Sequence, residues 1–456
     1  DVMVSWVEIL YMSLIALATA ILMIVMLKLF TGVVVWMIVI FMSILVTGAA
    51  GFCWYKWYLS DKLYKSTDPT YQTPEQADVV RTWLIYSLVA SGVAVVVLLV
   101  LLVMRKRIKL VVRLFKEAGS AIGRMPLLLI QPVWTLMILI AALGVLLALT
   151  FYLESSSDLY QNKSRKRFKM VYLRWYHLFG VLWISAFIVA CQDLVIAGAV
   201  AVWYFSRKKS KLGWPIGRAT CNLIRYHMGS VALGSFLIAV VRFARLILMT
   251  IQQRLKGATN KFAQFLLRML HCCLVCFEKF LRFLNRNAYI QIAIHGTSFC
   301  EGARKGLIVI INNALRVLAI NSVGTFLLFL NKIGCVAIVV MVGSVIIQFH
   351  QDITYTWVPL TIGGAIAFLI AHCFMLVYEI CLDTIFMCFC EDCEMNNGGD
   401  KPYFMSTNLL VNISLFRSTW SNWQSNCRVT KWFLGSFGSQ YYHNCGVQLQ
   451  SICWNM

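Results

Sequence analysis

Apolar runs long enough to cross a lipid bilayer recur along this chain, and no other feature restricts its fold so tightly. A hydrocarbon core of about 30 Å takes about 20 apolar residues at helical rise. Runs near that length cover residues 4–29, 33–54, 81–104, 127–153, 174–205, 227–251, 333–349 and 360–387. Backbone in lipid must satisfy its own hydrogen bonds, which leaves helices and closed barrels. Barrel strands need only about 9–11 residues, so these runs predict an all-α, polytopic transmembrane helical bundle.

The remaining composition agrees. Apolar residues make up 60% of the chain, charged residues 13%, and mean hydropathy is +0.75. Soluble domains carry nearer 25% charge. The net charge of +22 does not point to nucleic acid, because the Lys and Arg residues fall mostly between apolar runs, as juxtamembrane loops require.

Those loops set the expected topology. Residues 105–126 hold seven basic residues against Glu117, which places them in the cytosol by the positive-inside rule. Ile108, Val111, Val112 and Phe115 would share one face of an amphipathic helix lying at the inner leaflet. Residues 206–226, with six basics and no acid, are cytosolic too. The corner at residues 30–32 predicts a tight hairpin between the first two spans, and residues 55–80 a polar loop. Residues 154–173 fall outside by alternation and carry the sequon Asn162-Lys163-Ser164, although their five basic residues pull the other way. Residues 261–294 contain Arg268, Glu278, Lys279, Arg282 and Arg286. A tilted return span there restores parity; the rival is a cytosolic amphipathic helix. One or two surface helices follow over 295–330. The count is nine crossings, starting outside and ending inside. Residues 1–405 then form one transporter domain with cytosolic amphipathic connectors. Residues 406–456 form a divergent tail rich in Ser, Asn and Trp. Asp1 stands directly before a span, so the chain is expected to be part of a longer protein.

Polar groups inside spans are the first functional candidates, because an acid at the bilayer centre costs roughly 2.5–3.5 kcal/mol on insertion scales. Gln192 and Asp193 lie deepest. Ala197, Gly198, Ala199 and Ala201 follow, small enough to admit another helix. Glu8, Glu379 and Asp383 are the other acids, the last two near an inner end where cytosol would wet them. Each either attracts a cation, relays protons or satisfies a neighbouring base. Aromatics come second, since a quaternary ammonium is held by ring faces. Trp36, Trp83, Tyr86, Trp134, Trp183 and Tyr378 qualify, with interfacial packing as the alternative. Among the histidines His177, His227 and His372, His372 sits in apolar sequence and suits a proton relay or a catalytic base, as Glu379 suits a relay. Cys272, Cys273 and Cys276, then Cys388, Cys390 and Cys393, suggest S-acylation. Metal-ligand spacing is absent, and no metal or organic cofactor is expected.

Several short pieces, in their order along the chain, resemble the choline transporter-like family (solute carrier family 44). They are Arg225-Tyr226-His227-Met228-Gly229-Ser230, Leu284-Asn285-Arg286-Asn287-Ala288-Tyr289-Ile290 and Gly296-Thr297-Ser298-Phe299-Cys300. Ala371-His372-Cys373-Phe374 and Lys401-Pro402-Tyr403-Phe404-Met405-Ser406 complete the set. Ser298 stands where the family often has asparagine. The resemblance covers roughly residues 1–406 and implies about ten spans with both termini cytosolic. An extra span and a large glycosylated outer loop would precede Asp1. It also implies sodium-independent transport of choline, in some members ethanolamine, for phospholipid synthesis. Proton exchange and a plasma-membrane or mitochondrial outer-membrane location belong to the same implication.

The resulting reading is a choline carrier whose partners are choline, ethanolamine and the bilayer. Aromatics would hold the trimethylammonium, and Gln192 and Asp193 would supply polarity or counter-charge. Its rivals are a membrane acyltransferase using His372 and a lipidated membrane scaffold.

Overall fold

A computed structural model of the chain describes residues 5–66, 74–158, 164–209, 212–254, 261–348, 356–396 and 402–406. Asn162 and residues 407–456 lie outside the described residues. Every regular element among the described residues is helical. The long helices are α1 (Trp6–Ser66), α2 (Pro74–Arg124), α3 (Gln131–Asp158), α4 (Ser164–Phe205), α6 (Met228–Arg254), α7 (Lys261–His295), α10 (Thr325–Gln348) and α11 (Trp357–Met395). The short ones are α5 (Pro215–Asn222), α8 (Phe299–Asn312) and α9 (Ala314–Ala319), with π-turns at Leu223–His227 and Ile320–Gly324.

Seven helical segments among the described residues are long and apolar enough to cross a membrane: Trp6–Ser66, Asp78–Leu99, Pro126–Ser155, Tyr172–Phe205, Pro215–Arg254, Ile320–Ile347 and Trp357–Met395. The chain is a multi-pass, all-α membrane protein. The difference from nine has two sources. No hairpin forms at residues 30–32, where α1 runs on unbroken. Phe30-Thr31-Gly32 contains no proline, and one glycine costs a helix only about 1 kcal/mol. The second source is α7, whose charges keep it below the required apolarity.

The structure divides into two compact units, Asp1–Gly119 with Leu315–Ala371, and Ser120–Ala314 with His372–Met456. In the first, α1 packs along α10. Glycines make the approach close: a side chain at Gly343 or Gly363 would run into Met12. Trp54 Nε1 donates to Ser91 Oγ at 2.8 Å. The expected amphipathic stretch is helical, but as a continuation of α2, and Val111, Leu114 and Phe115 are fully buried. Its apolar face therefore packs within the protein rather than on the inner leaflet.

In the second unit α3 and α4 form an antiparallel pair, joined where His177 Nε2 meets Thr150 Oγ1 at 2.9 Å. Trp183 reaches Ala232 and Trp175 meets Phe243, so α4 and α6 also run antiparallel. α7 returns antiparallel to α6, with Asn285 at Gly234 and Glu278 at Arg242. It lies parallel to the His372–Met395 part of α11, where Arg286 meets Glu379 and Gln291 meets Glu391. The small residues of α4 do what their size predicts: Ala219 of α5 sits 3.0 Å from where a Gly198 side chain would begin. The surface helix expected after residue 295 is instead half-buried, because α8 lays Gly302 and Gly306 against the α7 backbone at Ala288 and Asn287.

Candidate functional site

Arg286 on α7 stands at the centre of a half-buried charge cluster. Its Nη1 donates to Glu379 Oε1 at 2.7 Å, and its Nε lies 3.1 Å from Asp383 Oδ2. Glu379 and Asp383 are four residues apart on α11, so one helix face presents both. Asp193 of α4 makes no direct ion pair with Arg286 but lies near enough for its charge to interact with Arg286, Glu379 and Asp383. Two carboxylates thus pair with one guanidinium and a third lies near them, a surplus of two negative charges if all are ionised.

Around this cluster several buried polar atoms have no hydrogen-bond partner: Asp193 Oδ1, Arg286 Nη2, Asn285 Oδ1 and Tyr289 Oη. Native interiors leave few such groups, and each calls for an explanation. Asn285 spends its amide donor on Gly234 O at 2.6 Å. Tyr289 lies over the same glycine, where any side chain would collide with its hydroxyl, and its ring tilts against Phe299 at 6.2 Å. Because Asn285, Arg286 and Tyr289 fall within about one turn of α7, their free atoms gather at the level of Asp193, whose charge also acts on Tyr289.

The sequence-nominated residues scatter. Gln192 is buried beside Asp193, and Tyr378 is fully buried beside Glu379. Trp183 packs against Phe179 and Phe236 and bonds to Ala232 O, so its indole joins α4 to α6. Trp36, Tyr86 and Trp134 are exposed on the protein surface. Trp83 is half-buried and meets Tyr86 edge-to-face at 5.9 Å. His372 is exposed on α11. Glu379 and Asp383 both satisfy a neighbouring base, Arg286, and stay 31% and 22% exposed. No three metal-ligating side chains gather into a metal site among the described residues.

The sequence reading missed Arg286, Asn285, Tyr289 and Gly234 as site residues. The signal for the first three was present in Leu284-Asn285-Arg286-Asn287-Ala288-Tyr289, where polar groups interrupt an apolar stretch. A base was also needed somewhere to match Asp193, Glu379 and Asp383.

A family model described as "Plasma-membrane choline transporter" matches residues 88–394. The chain belongs to this choline transporter family. It is 38% identical over 416 residues to choline transporter-like protein 1 of Xenopus laevis, covering 90% of this chain and 64% of that protein. It is 34% identical over 417 residues to choline transporter-like protein 2 of Dictyostelium discoideum, covering 90% of this chain and 66% of that protein. The chain therefore spans just under two thirds of these relatives' length. The family is one of transporters rather than enzymes, and the acyltransferase reading of His372 is set aside.

Proposed function

We propose that this chain carries choline across the membrane, with its substrate site at Asp193, Asn285, Arg286 and Tyr289. The observation that supports this is the surplus of carboxylate around Arg286, together with the free polar atoms beside it. Arg286 already donates a hydrogen bond to Glu379 and forms an ion pair with Asp383. A trimethylammonium has no N–H and cannot replace those bonds. It needs only negative charge and ring faces, which Asp193 with Tyr289 and Tyr378 would supply, while Gln192 adds polarity. The choline hydroxyl can donate to Asn285 Oδ1. Ethanolamine suits the same groups, because its ammonium can donate to Asp193 and Asn285.

The α7 helix crosses the membrane in this reading. Its 35 residues extend about 52 Å at helical rise, and they pack along α4 and α6, both of which contain a candidate span. Its charges face partners on α6 and α11. Exchange against a proton follows from the same surplus, since a buried excess of negative charge is neutralised by either cation. Arg286 serves as the fixed cation of the site, so sodium is not required. Helices rocking about the site would give alternating access, at the plasma membrane and, as a second location, the mitochondrial outer membrane.

The test is uptake of labelled choline into proteoliposomes holding the purified chain. Wild type should take up choline without sodium and faster against an outward proton gradient, with ethanolamine competing. Asp193→Asn should lower uptake by about 10- to 100-fold, the worth of one charge-assisted contact of roughly 1.5–3 kcal/mol. Undiminished uptake by Asp193→Asn would remove this carboxylate from the site.

A further inference from the structure

The same helix carries a second charge cluster of opposite balance. Glu278, buried on α7, is met by Arg242 Nε at 2.9 Å and Arg245 Nη1 at 2.7 Å, both from α6, and by Arg282 one turn along α7. Three guanidiniums face one carboxylate, a surplus of two positive charges. Both guanidinium hydrogen bonds to this carboxylate, from Arg242 and Arg282, go to Oε1, Arg245 is held as an ion pair, and its buried Nε has no hydrogen-bond partner. The arginines are 28%, 29% and 57% exposed, so the surplus donors reach the protein surface.

The depth of this cluster indicates what it meets there. Glu278 lies eight residues from Arg286, about 12 Å along the helix, close to half the thickness of a hydrocarbon core of about 30 Å. Phe243, next to Arg242, packs on Trp175 at 5.8 Å, and Trp175 lies in the first turn of the α4 span that begins at Tyr172. Tyr172 and Tyr176 are exposed at that same end. Tyr and Trp gather at headgroup level. The arginines therefore open onto the zone where lipid phosphates lie. Guanidinium suits a phosphate, since its planar fork donates two parallel bonds to one anion.

We propose that Arg242, Arg245 and Arg282 bind the phosphate of an anionic phospholipid at this edge of the α6–α7 pair. Glu278 is the positioning residue: it draws the three side chains together while leaving them a positive surplus. The purified full chain in nanodiscs provides the test, through its melting temperature. Adding phosphatidylglycerol to phosphatidylcholine should raise it by a few degrees, as a ligand that binds only the folded state does. Arg245→Gln should remove most of that rise, and Arg245→Lys should restore part of it. Glu278→Gln should enlarge the rise, because it deepens the positive surplus. If the arginines serve only to neutralise Glu278, Glu278→Gln will lower the melting temperature equally in both lipids, and the proposal falls. It falls too if Arg245→Gln keeps the full rise, or if inorganic phosphate in phosphatidylcholine discs reproduces it. Should Arg245→Gln fail to fold, the sign of the Glu278→Gln effect decides alone.

Discussion

Two charge clusters sit on one helix, about two turns apart, with inverted composition. At Arg286 two carboxylates pair with one guanidinium and a third lies near it; at Glu278 three guanidiniums share one carboxylate. Their surroundings differ as much as their sign. The Arg286 side chain is 18% exposed and its partners Glu379 and Asp383 are 31% and 22% exposed, whereas Arg282 is 57% exposed. Burial decides what each surplus can do. In the interior an unmatched charge is costly and must be met by a small cation that fits among the helices. At the edge the surplus is shared with solvent and headgroups. An internal acidic surplus therefore suits a passing substrate, and an edge basic surplus suits a resident lipid.

The harshest way to break this comparison is Arg286→Gln. It leaves Glu379 and Asp383 facing each other and Asp193 without their common partner. Stranding buried charges in this way costs about 3–5 kcal/mol. The expected outcome is a large drop in melting temperature and loss of uptake together. A variant that melts like wild type would show that water already reaches these carboxylates and that the interior surplus is not buried.

Asp193→Asn sharpens the comparison, because it should separate function from stability. The substitution removes one charge from a cluster that has an excess of that sign. Uptake should fall while the melting temperature stays level or rises. A joint fall of both would mean that Asp193 is a structural partner of Arg286 rather than the free charge of the site. Gly234→Ala has a smaller expected effect and tests the neighbouring wall. Its methyl group meets the Tyr289 hydroxyl and Phe299, and overpacking of this kind costs about 1–3 kcal/mol. Shortening the ring's reach with Tyr289→Phe in the same chain should recover part of that loss in a melting series.

Much of this was legible beforehand, and the limits have physical causes. Asp193 stood out because a lone acid in an apolar run is costly anywhere in lipid. The closeness of Ala197–Ala201 to another helix followed from side-chain volume alone. Arg286 was harder to see, since α7 carries six charged residues and a charged helix reads equally well as a surface helix. Only the packing shows that Glu278 faces α6 while Arg286 faces α11. The aromatic nominations rested on residue type, and residue type does not reveal direction: Trp36 and Trp134 face outward, while Tyr378 faces in. The hairpin at residues 30–32 failed because its only turn signal was a glycine, which a helix tolerates. Asp392 carries a role that no residue pattern could announce. It accepts hydrogen bonds from the backbone N–H groups of Phe404 and Met405 and from the Tyr204 hydroxyl, fastening residues 402–406 to the bundle.

The mildest substitution lies one turn from the harshest. Arg282→Gln removes a cation from a cluster that has two others, at a side chain more than half exposed. Glu278 keeps Arg242 and Arg245, so no buried charge is stranded. Exposed pairs are worth about 0.2–1 kcal/mol, and the melting temperature should shift by no more than that in phosphatidylcholine. Choline uptake should be unchanged, because Arg282 contacts none of the groups around Asp193. Raising the salt concentration should shrink even this small difference, since screening weakens exposed pairs far more than buried ones. A loss as large as that of Arg286→Gln would mean that the two clusters form one electrostatic unit along α7, and that their difference in burial does not set their roles.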